Sequence, residues 1–204
     1  MLRIAVLASG GGTDLQSIID ACEKGQVDGK VVLVISNIPD AFALERGRRA
    51  GARAVCIDHR GKKREQHEKE LAIELDKEKA DLIVLAGYLR MFTYYFINKY
   101  KFKIINIHPA LLPKYGGKGM HGLNVHKAVL ESGDKESGCT VHFVTEDVDA
   151  GPIIAQIRVK VMPGDTPEAL QARVLEQEHV LLPAVCQLFA EGRVKVEGGR
   201  VIIL

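Results

Sequence analysis

Short, almost wholly apolar runs alternate along the chain with longer segments in which apolar residues recur at helical spacing. Leu2 to Ala8 is the first such run. It stops at Ser9-Gly10-Gly11-Gly12 and reads as a buried strand. Leu15, Ile18, Ile19 and Cys22 then recur at i, i+3, i+4 and i+7, one face of a helix, with Thr13 and Gln16 spaced as a capping box at its start. The alternation continues with a strand over Val31–Ile35, a helix over Ala41–Ala50 closed by Gly51, and a strand over Ala54–Ile57. A charged helix over Glu65–Lys79 turns Leu71, Ala72 and Leu75 inward, and strands follow over Leu82–Ala86 and Phe102–Ile107. Beyond these, Thr140–Thr145 and Ile153–Val161 are strand candidates close together in sequence. A helix starts near Thr166, with Asp165 and Glu168 at its beginning and Pro167 in its first turn. Pro183 predicts a kink in that helix. The tail alternates Val194 and Val196, then Gly198-Gly199, then Val201 and Ile203, the signature of a hairpin.

Strands that are apolar throughout, separated by helices, specify an α/β fold: a Rossmann-like, mostly parallel twisted sheet covered by helices on both faces. The C-terminal half adds longer strands, a long helix and the terminal β-hairpin. The reading is one domain over 1–204, with halves at 1–105 and 106–204.

Composition narrows the class. With 47% apolar and 26% charged residues and a net charge of +2, the chain has enough material for a core and an ordinary surface. The densest basic cluster, Arg60, Lys62, Lys63 and Arg64, reads as a solvated loop, so no nucleic-acid partner is expected. No run reaches the roughly 18 apolar residues of a membrane span, and the expectation is a cytoplasmic protein with no membrane partner. Cys22, Cys56, Cys139 and Cys186 lack any CxxC or zinc spacing and read as buried reduced thiols. No metal site is expected: His59, His67, His121, His126 and His179 make no ligand motif, and His121 and His126 read as surface or loop residues.

Two places carry candidate chemistry. Gly10-Gly11-Gly12-Thr13-Asp14 lies between a strand and a helix N-terminus, where unpaired N–H groups favour a phosphate. The dinucleotide fingerprint fails because Leu15 stands where its third glycine belongs, and the ATP-binding G-x-x-x-x-G-K-[ST] pattern is absent. A phosphate site and a tight structural turn both remain open. At the end of the fifth strand, alternation puts Asn106 and His108 on one face, about 7 Å apart, while Ile105 and Ile107 enter the core. Pro109 ends the strand, which places both groups at the carboxyl edge of the sheet, where ligands bind. An imidazolium and an amide N–H can both donate to a developing oxyanion, and a carboxylate such as Asp149 would favour the charged ring. The residues alone leave catalytic and structural readings of this trio open.

The segments Asn106-Ile107-His108-Pro109-Ala110-Leu111-Leu112-Pro113, Gly138-Cys139-Thr140-Val141-His142-Phe143-Val144 and Asp147-Val148-Asp149-Ala150-Gly151-Pro152 together resemble the folate-dependent formyltransferases. The likeness runs from Ile4 to about Ala190 and is strongest to members that formylate glycinamide ribonucleotide in purine biosynthesis. It implies a one-carbon transferase that uses 10-formyltetrahydrofolate as co-substrate, with no tightly bound cofactor, acting as a monomer or homodimer. It implies Asn106, His108 and Asp149 as catalytic and Thr140 and His142 as supporting them. Gly12, Thr13, Asp14 and Glu178 would hold the ribonucleotide. Arg64, Leu89, Arg90, Met91, Phe92 and Asn106 would hold the folate. The first half would then bind phosphate, and the second would carry catalysis and folate binding. In this reading a protonated His108 and the Asn106 amide stabilise the oxyanion, and Asp149 keeps the imidazole protonated. Two features depart from the family: Thr13-Asp14 replaces the usual Ser-Asn, and the glycine-rich stretch 115–124 is long enough to read as a mobile lid.

Two related activities and one unrelated class are alternatives. A methionyl-tRNA formyltransferase would add a C-terminal RNA-binding domain, for which the short hairpin leaves no room, and a formyltetrahydrofolate hydrolase would carry an N-terminal domain before the first strand. A non-catalytic nucleotide-binding module would need the glycine loop but not Asn106, His108 and Asp149 together.

Overall fold

A computed structural model describes residues 1–204. Five short apolar strands, β1 (Leu2–Leu7), β2 (Gly29–Ser36), β3 (Arg53–Cys56), β4 (Leu82–Leu85) and β5 (Ile104–His108), run parallel. The helices α1 (Thr13–Glu23), α2 (Phe42–Arg49), α3 (Arg64–Lys77) and α4 (Tyr94–Lys99) lie between them in sequence. After α5 (Leu123–Glu131), two more strands, β6 (Glu136–Phe143) and β7 (Ile153–Lys160), join the same sheet antiparallel. The sheet order is β3-β2-β1-β4-β5-β6-β7, and α6 (Pro167–Ala190) packs on α1 and β6. A separate hairpin pairs β8 (Val194–Glu197) with β9 (Arg200–Ile203). The chain turns from one side of the sheet to the other between β1 and β4, and such a switch opens a crevice at the carboxyl ends of the strands.

Strand alternation divides the core in two. Ile4, Val6, Ile105, Ile107, Val141 and Phe143 share one cluster with buried residues of α1 and α6. Ala5, Leu7, Leu33, Ile83 and Ile104 share the other with Leu71 and Leu75 of α3 and Phe96 of α4. Asn106, His108, Thr140 and His142 have the parity of this second face, at the β5–β6 pair. The polar groups fill a part of the face that the hydrophobic cluster leaves uncovered.

Several expectations are corrected. Thr13 is the first residue of α1 rather than its cap. The cap is Gly12 at φ 73°, and Gln16 donates its amide to Asp20 instead of reaching back. A side chain at Gly12 would also lie 2.8 Å from Ala43 Cβ, so both conformation and space call for glycine there. The start of α6 is capped by Thr166, whose hydroxyl accepts from Ala169 N, while Asp165 pairs with Arg173. The helix α6 continues past Pro183 to Ala190, with Leu181, Leu182 and Val185 buried around the proline. Two helices were not anticipated, α4 and α5, and α5 takes Leu123 and Asn124 out of the expected 115–124 loop. Cys139 and Cys186 are buried, but Cys56 is exposed because β3 is an edge strand, and Cys22 is partly exposed. His126 is not a surface residue; it lies on the inner face of α5, between buried Val125 and near Val129, and His67 is equally buried on α3. No helix is long and apolar enough to cross a membrane.

Candidate active site

The carboxyl edge of the sheet opens into a cavity of about 610 Å³, reached by residues from both ends of the chain. Thr13 and Asp14 enter from α1, Leu89 to Phe92 from the turn after β4, and Asn106 and His108 from β5. His142 enters from β6, Asp149 from the β6–β7 loop and Glu178 from α6. The sheet register explains part of this gathering: Asn106 stands opposite His142 and His108 opposite Thr140.

Main-chain carbonyls fix the protonation pattern at the centre. His142 Nδ1 donates to the Phe143 carbonyl at 2.9 Å, so the neutral ring presents Nε2 as an acceptor, and Asn106 Nδ2 donates to it at 3.1 Å. The Asn106 amide is thereby oriented with one N–H used and a second free to donate. His108 Nε2 donates to the Tyr115 carbonyl at 2.8 Å, leaving Nδ1 directed at Asp149 Oδ2, 3.6 Å away. The other oxygen of Asp149 lies 3.6 Å from His142 Nε2, and Oδ2 accepts from Gly117 N at 2.9 Å. Asp149 and Tyr115 both have positive φ, at 55° and 57°, a conformation that is rare for such residues and marks a shape fixed by its surroundings. Gly151 lets this loop return: a Cβ there would sit 1.8 Å from the Phe143 carbonyl oxygen.

Burial sets the electrostatics. It draws the His108 pKa below its ordinary value, although Asp149 and the Tyr115 carbonyl pull the other way. Asp149, 3.6 Å from Nδ1, favours the charged ring, and desolvation acts against it and is the larger effect. Burial would raise the Asp149 carboxyl, but the neighbouring His142 and His108 rings and the Gly117 N–H outweigh it, and the net shift is downward.

Thr140 is tied to the strand end rather than to the trio. Its hydroxyl donates to the Ala110 carbonyl at 2.6 Å and accepts from Leu112 N and from Gln156 Nε2, which pins the chain that leaves His108.

The other end of the cavity is arranged differently. No backbone N–H from Gly10 to Leu15 finds an acceptor within the protein, and no side chain caps α1. Asp14 and Glu178 both border this end, and neither carboxylate accepts a hydrogen bond. Burial raises both, Asp14 to about 6 and Glu178 to about 8, and the charge of Asp14 adds to the rise at Glu178. His179 Nε2 lies 3.7 Å from Asp14 Oδ1, too far for a hydrogen bond, and both atoms are buried without partners.

The turn after β4 supplies part of the cavity wall. Leu89 and Met91 are exposed into it, while Phe92 is stacked beneath and Arg90 Nε is buried without a partner. Residues that the sequence reading did not single out hold this turn. Tyr88 is hydrogen-bonded to His67 at 2.7 Å, and Glu68 accepts from Thr93 N and the Thr93 hydroxyl. Buried His67 and Glu68 on an otherwise charged helix were the only signal. His126 also lines the cavity, its pKa lowered to about 4 by burial and by His108. Arg64 lies outside the cavity, exposed at the start of α3. Gly12 lies just outside as the cap of α1.

Residues 2–186 match the Formyl transferase family. The chain is 45% identical over 196 residues to the phosphoribosylglycinamide formyltransferase of Escherichia coli (strain K12), covering 96% of this chain and 90% of that protein. It is 43% identical to the protein of the same name from Haemophilus influenzae, covering 97% and 91%. Among solved structures, the glycinamide ribonucleotide transformylase 1 of Symbiobacterium toebii superposes with a TM-score of 0.94 at 46% identity, covering 100% of this chain and 94% of that one. With its mostly parallel sheet, long C-terminal helix and terminal hairpin, the chain belongs to the formyl transferase family.

Proposed function

We propose that this chain transfers the formyl group of 10-formyltetrahydrofolate to the amine of glycinamide ribonucleotide, giving formylglycinamide ribonucleotide and tetrahydrofolate in de novo purine biosynthesis. The observation that carries this reading is the convergence of Asn106, His108 and Asp149 in one cavity that ends at a loop of free N–H groups. The shared name of the E. coli and H. influenzae relatives points to the same acceptor.

The parts divide the work. The Gly12–Asp14 loop takes the phosphate, since unpaired N–H groups and the helix dipole favour an anion. The Glu178 carboxyl, unpartnered and 7% exposed, meets the ribose hydroxyls, whose donors offset the burial that raises its pKa and favour its charged, accepting form. The apolar shelf of Leu89, Met91 and Phe92, with Arg90, takes the flat folate ring. The substrate amine attacks the formyl carbon, the free Asn106 N–H donates to the oxygen on which charge develops, and His108 meets the same oxygen once its Nε2–H leaves the Tyr115 carbonyl. That growing negative charge raises the proton affinity of His108, and the proton it takes up is the one the attacking amine loses, passed through water and then delivered to the folate nitrogen. Asp149 stabilises the imidazolium through Nδ1 and takes part, through water, in moving the amine proton to the folate nitrogen as its bond to the formyl carbon breaks.

A formyl-transfer assay with both substrates, read by folate absorbance, tests the proposal. Release of tetrahydrofolate should depend on glycinamide ribonucleotide. Release at the same rate without it would mean hydrolysis instead, and no release would remove the proposal.

A further inference from the structure

The cavity shares its phosphate end with an open groove between α1, α2 and α6, and Thr13 borders both. One cation stands at that junction. Arg46, on α2, donates from Nε to the Gly11 carbonyl at 2.8 Å and from Nη1 to Gln16 Oε1 at 2.9 Å, and its guanidinium lies 4.9 Å from the centre of the Phe42 ring. Its δ-carbon is 3.5 Å from the position a side chain on Gly12 would take, so the arm lies along the loop. Its neighbours on the same helix, Arg48 and Arg49, both pair with Glu45, whereas Arg46 makes no ion pair at all. A guanidinium held by three neighbours, with no counter-charge, beside six consecutive unpaired N–H groups is a prepared anion site. Glu178, 7% exposed and without a hydrogen-bond partner, borders the same end and asks for hydroxyl donors.

We propose that Arg46 is the counter-charge of the substrate phosphate: its remaining Nη2 donors reach a phosphate oxygen seated on the Gly11–Thr13 loop, and it selects a phosphorylated sugar over the free one. The placement accounts for the acidic substitution in this loop. Asp14 alone would repel a phosphate, and Arg46 supplies the opposite charge from the other side of the loop. Lysine would keep the charge but lose the fork that ties the loop carbonyl, Gln16 and the anion together.

The inference rests on the activity proposed above, and its test separates the two. Steady-state kinetics would compare the wild type, Arg46→Met and Arg46→Lys on glycinamide ribonucleotide and on glycinamide riboside, which lacks the phosphate. Loss of a charged hydrogen-bond partner should lower kcat/KM for the ribonucleotide about 30-fold in Arg46→Met, almost wholly through KM, with partial recovery in Arg46→Lys. The riboside and the folate KM should be unchanged. Equal losses on ribonucleotide and riboside would reduce Arg46 to a support of the loop and overturn the proposal, as would no loss on either. Calorimetric titration with inorganic phosphate reads the same contact without the reaction. Wild-type binding that is lost in Arg46→Met and partly kept in Arg46→Lys supports it even if no formyl transfer is seen, and equal binding by all three proteins overturns it.

Discussion

The two ends of the cavity each hold buried carboxylates, and the protein treats them in opposite ways. Asp149 is surrounded by two imidazoles and the Gly117 N–H, and its pKa is drawn down despite burial. Asp14 and Glu178 have no donors and are pushed up by burial, Glu178 also by the charge of Asp14. A carboxylate whose partners are built into the fold is set for one task before any ligand arrives, which suits a group that must meet charge developing in a transition state. A carboxylate left without partners is a cost carried until a ligand supplies them, which suits recognition of hydroxyls. The difference teaches that burial alone does not define a catalytic acid here; the neighbours decide which end does chemistry and which end binds.

Substitutions at the two ends should therefore separate in kinetics. The largest effect is expected for Asp149→Asn, which keeps shape but removes the charge facing His108. Turnover should fall by roughly a hundredfold or more, with KM for the ribonucleotide within about threefold of wild type. Steady-state rates check this, and a loss confined to KM would break the comparison. Glu178→Gln should do the reverse, raising KM for the ribonucleotide on the order of tenfold or more at nearly constant kcat.

Asp14→Asn should show itself through pH. The Asp14 carboxyl has a folded pKa of about 6 against an ordinary 3.8, so the unfolded chain ionises first. The resulting loss of stability begins as pH rises past 3.8 and is complete above about 6. Thermal melts should thus show the variant more stable than wild type at pH 8 and equal to it below pH 4. Its KM for the ribonucleotide should be lower at pH 8 by a few-fold, the gap closing as wild-type Asp14 protonates near pH 6. The smallest catalytic effect is expected for Thr140→Val, which strands Leu112 N and the Ala110 carbonyl. A cost of about 1–3 kcal/mol should lower Tm by several degrees, with only a few-fold loss in kcat.

Much of this contrast was legible before the structure. Alternation alone put Asn106 and His108 on one face with Ile105 and Ile107 in the core, and the glycine loop announced a helix start with free N–H groups. The family pattern brought in Asp149 and Glu178, which periodicity does not connect with anything. What could not be read was geometry made by the main chain. The Tyr115 and Phe143 carbonyls that set the two histidine tautomers, and the Gly117 N–H that meets Asp149, leave no trace in residue type. The sign of the His108 shift also escaped, since a nearby carboxylate is visible in sequence but the extent of desolvation is not. The helices α4 and α5, of six and nine residues, are too short for a helical period to stand out. His126 was lost with α5.

The most direct test of the division between the two ends is made on one variant, His108→Ala, by measuring glycinamide ribonucleotide affinity by calorimetry and formyl transfer in a single turnover. Affinity should stay within about threefold of wild type while the transfer step slows by about a hundredfold or more. Transfer at the wild-type rate, or affinity lost together with rate, would contradict the account.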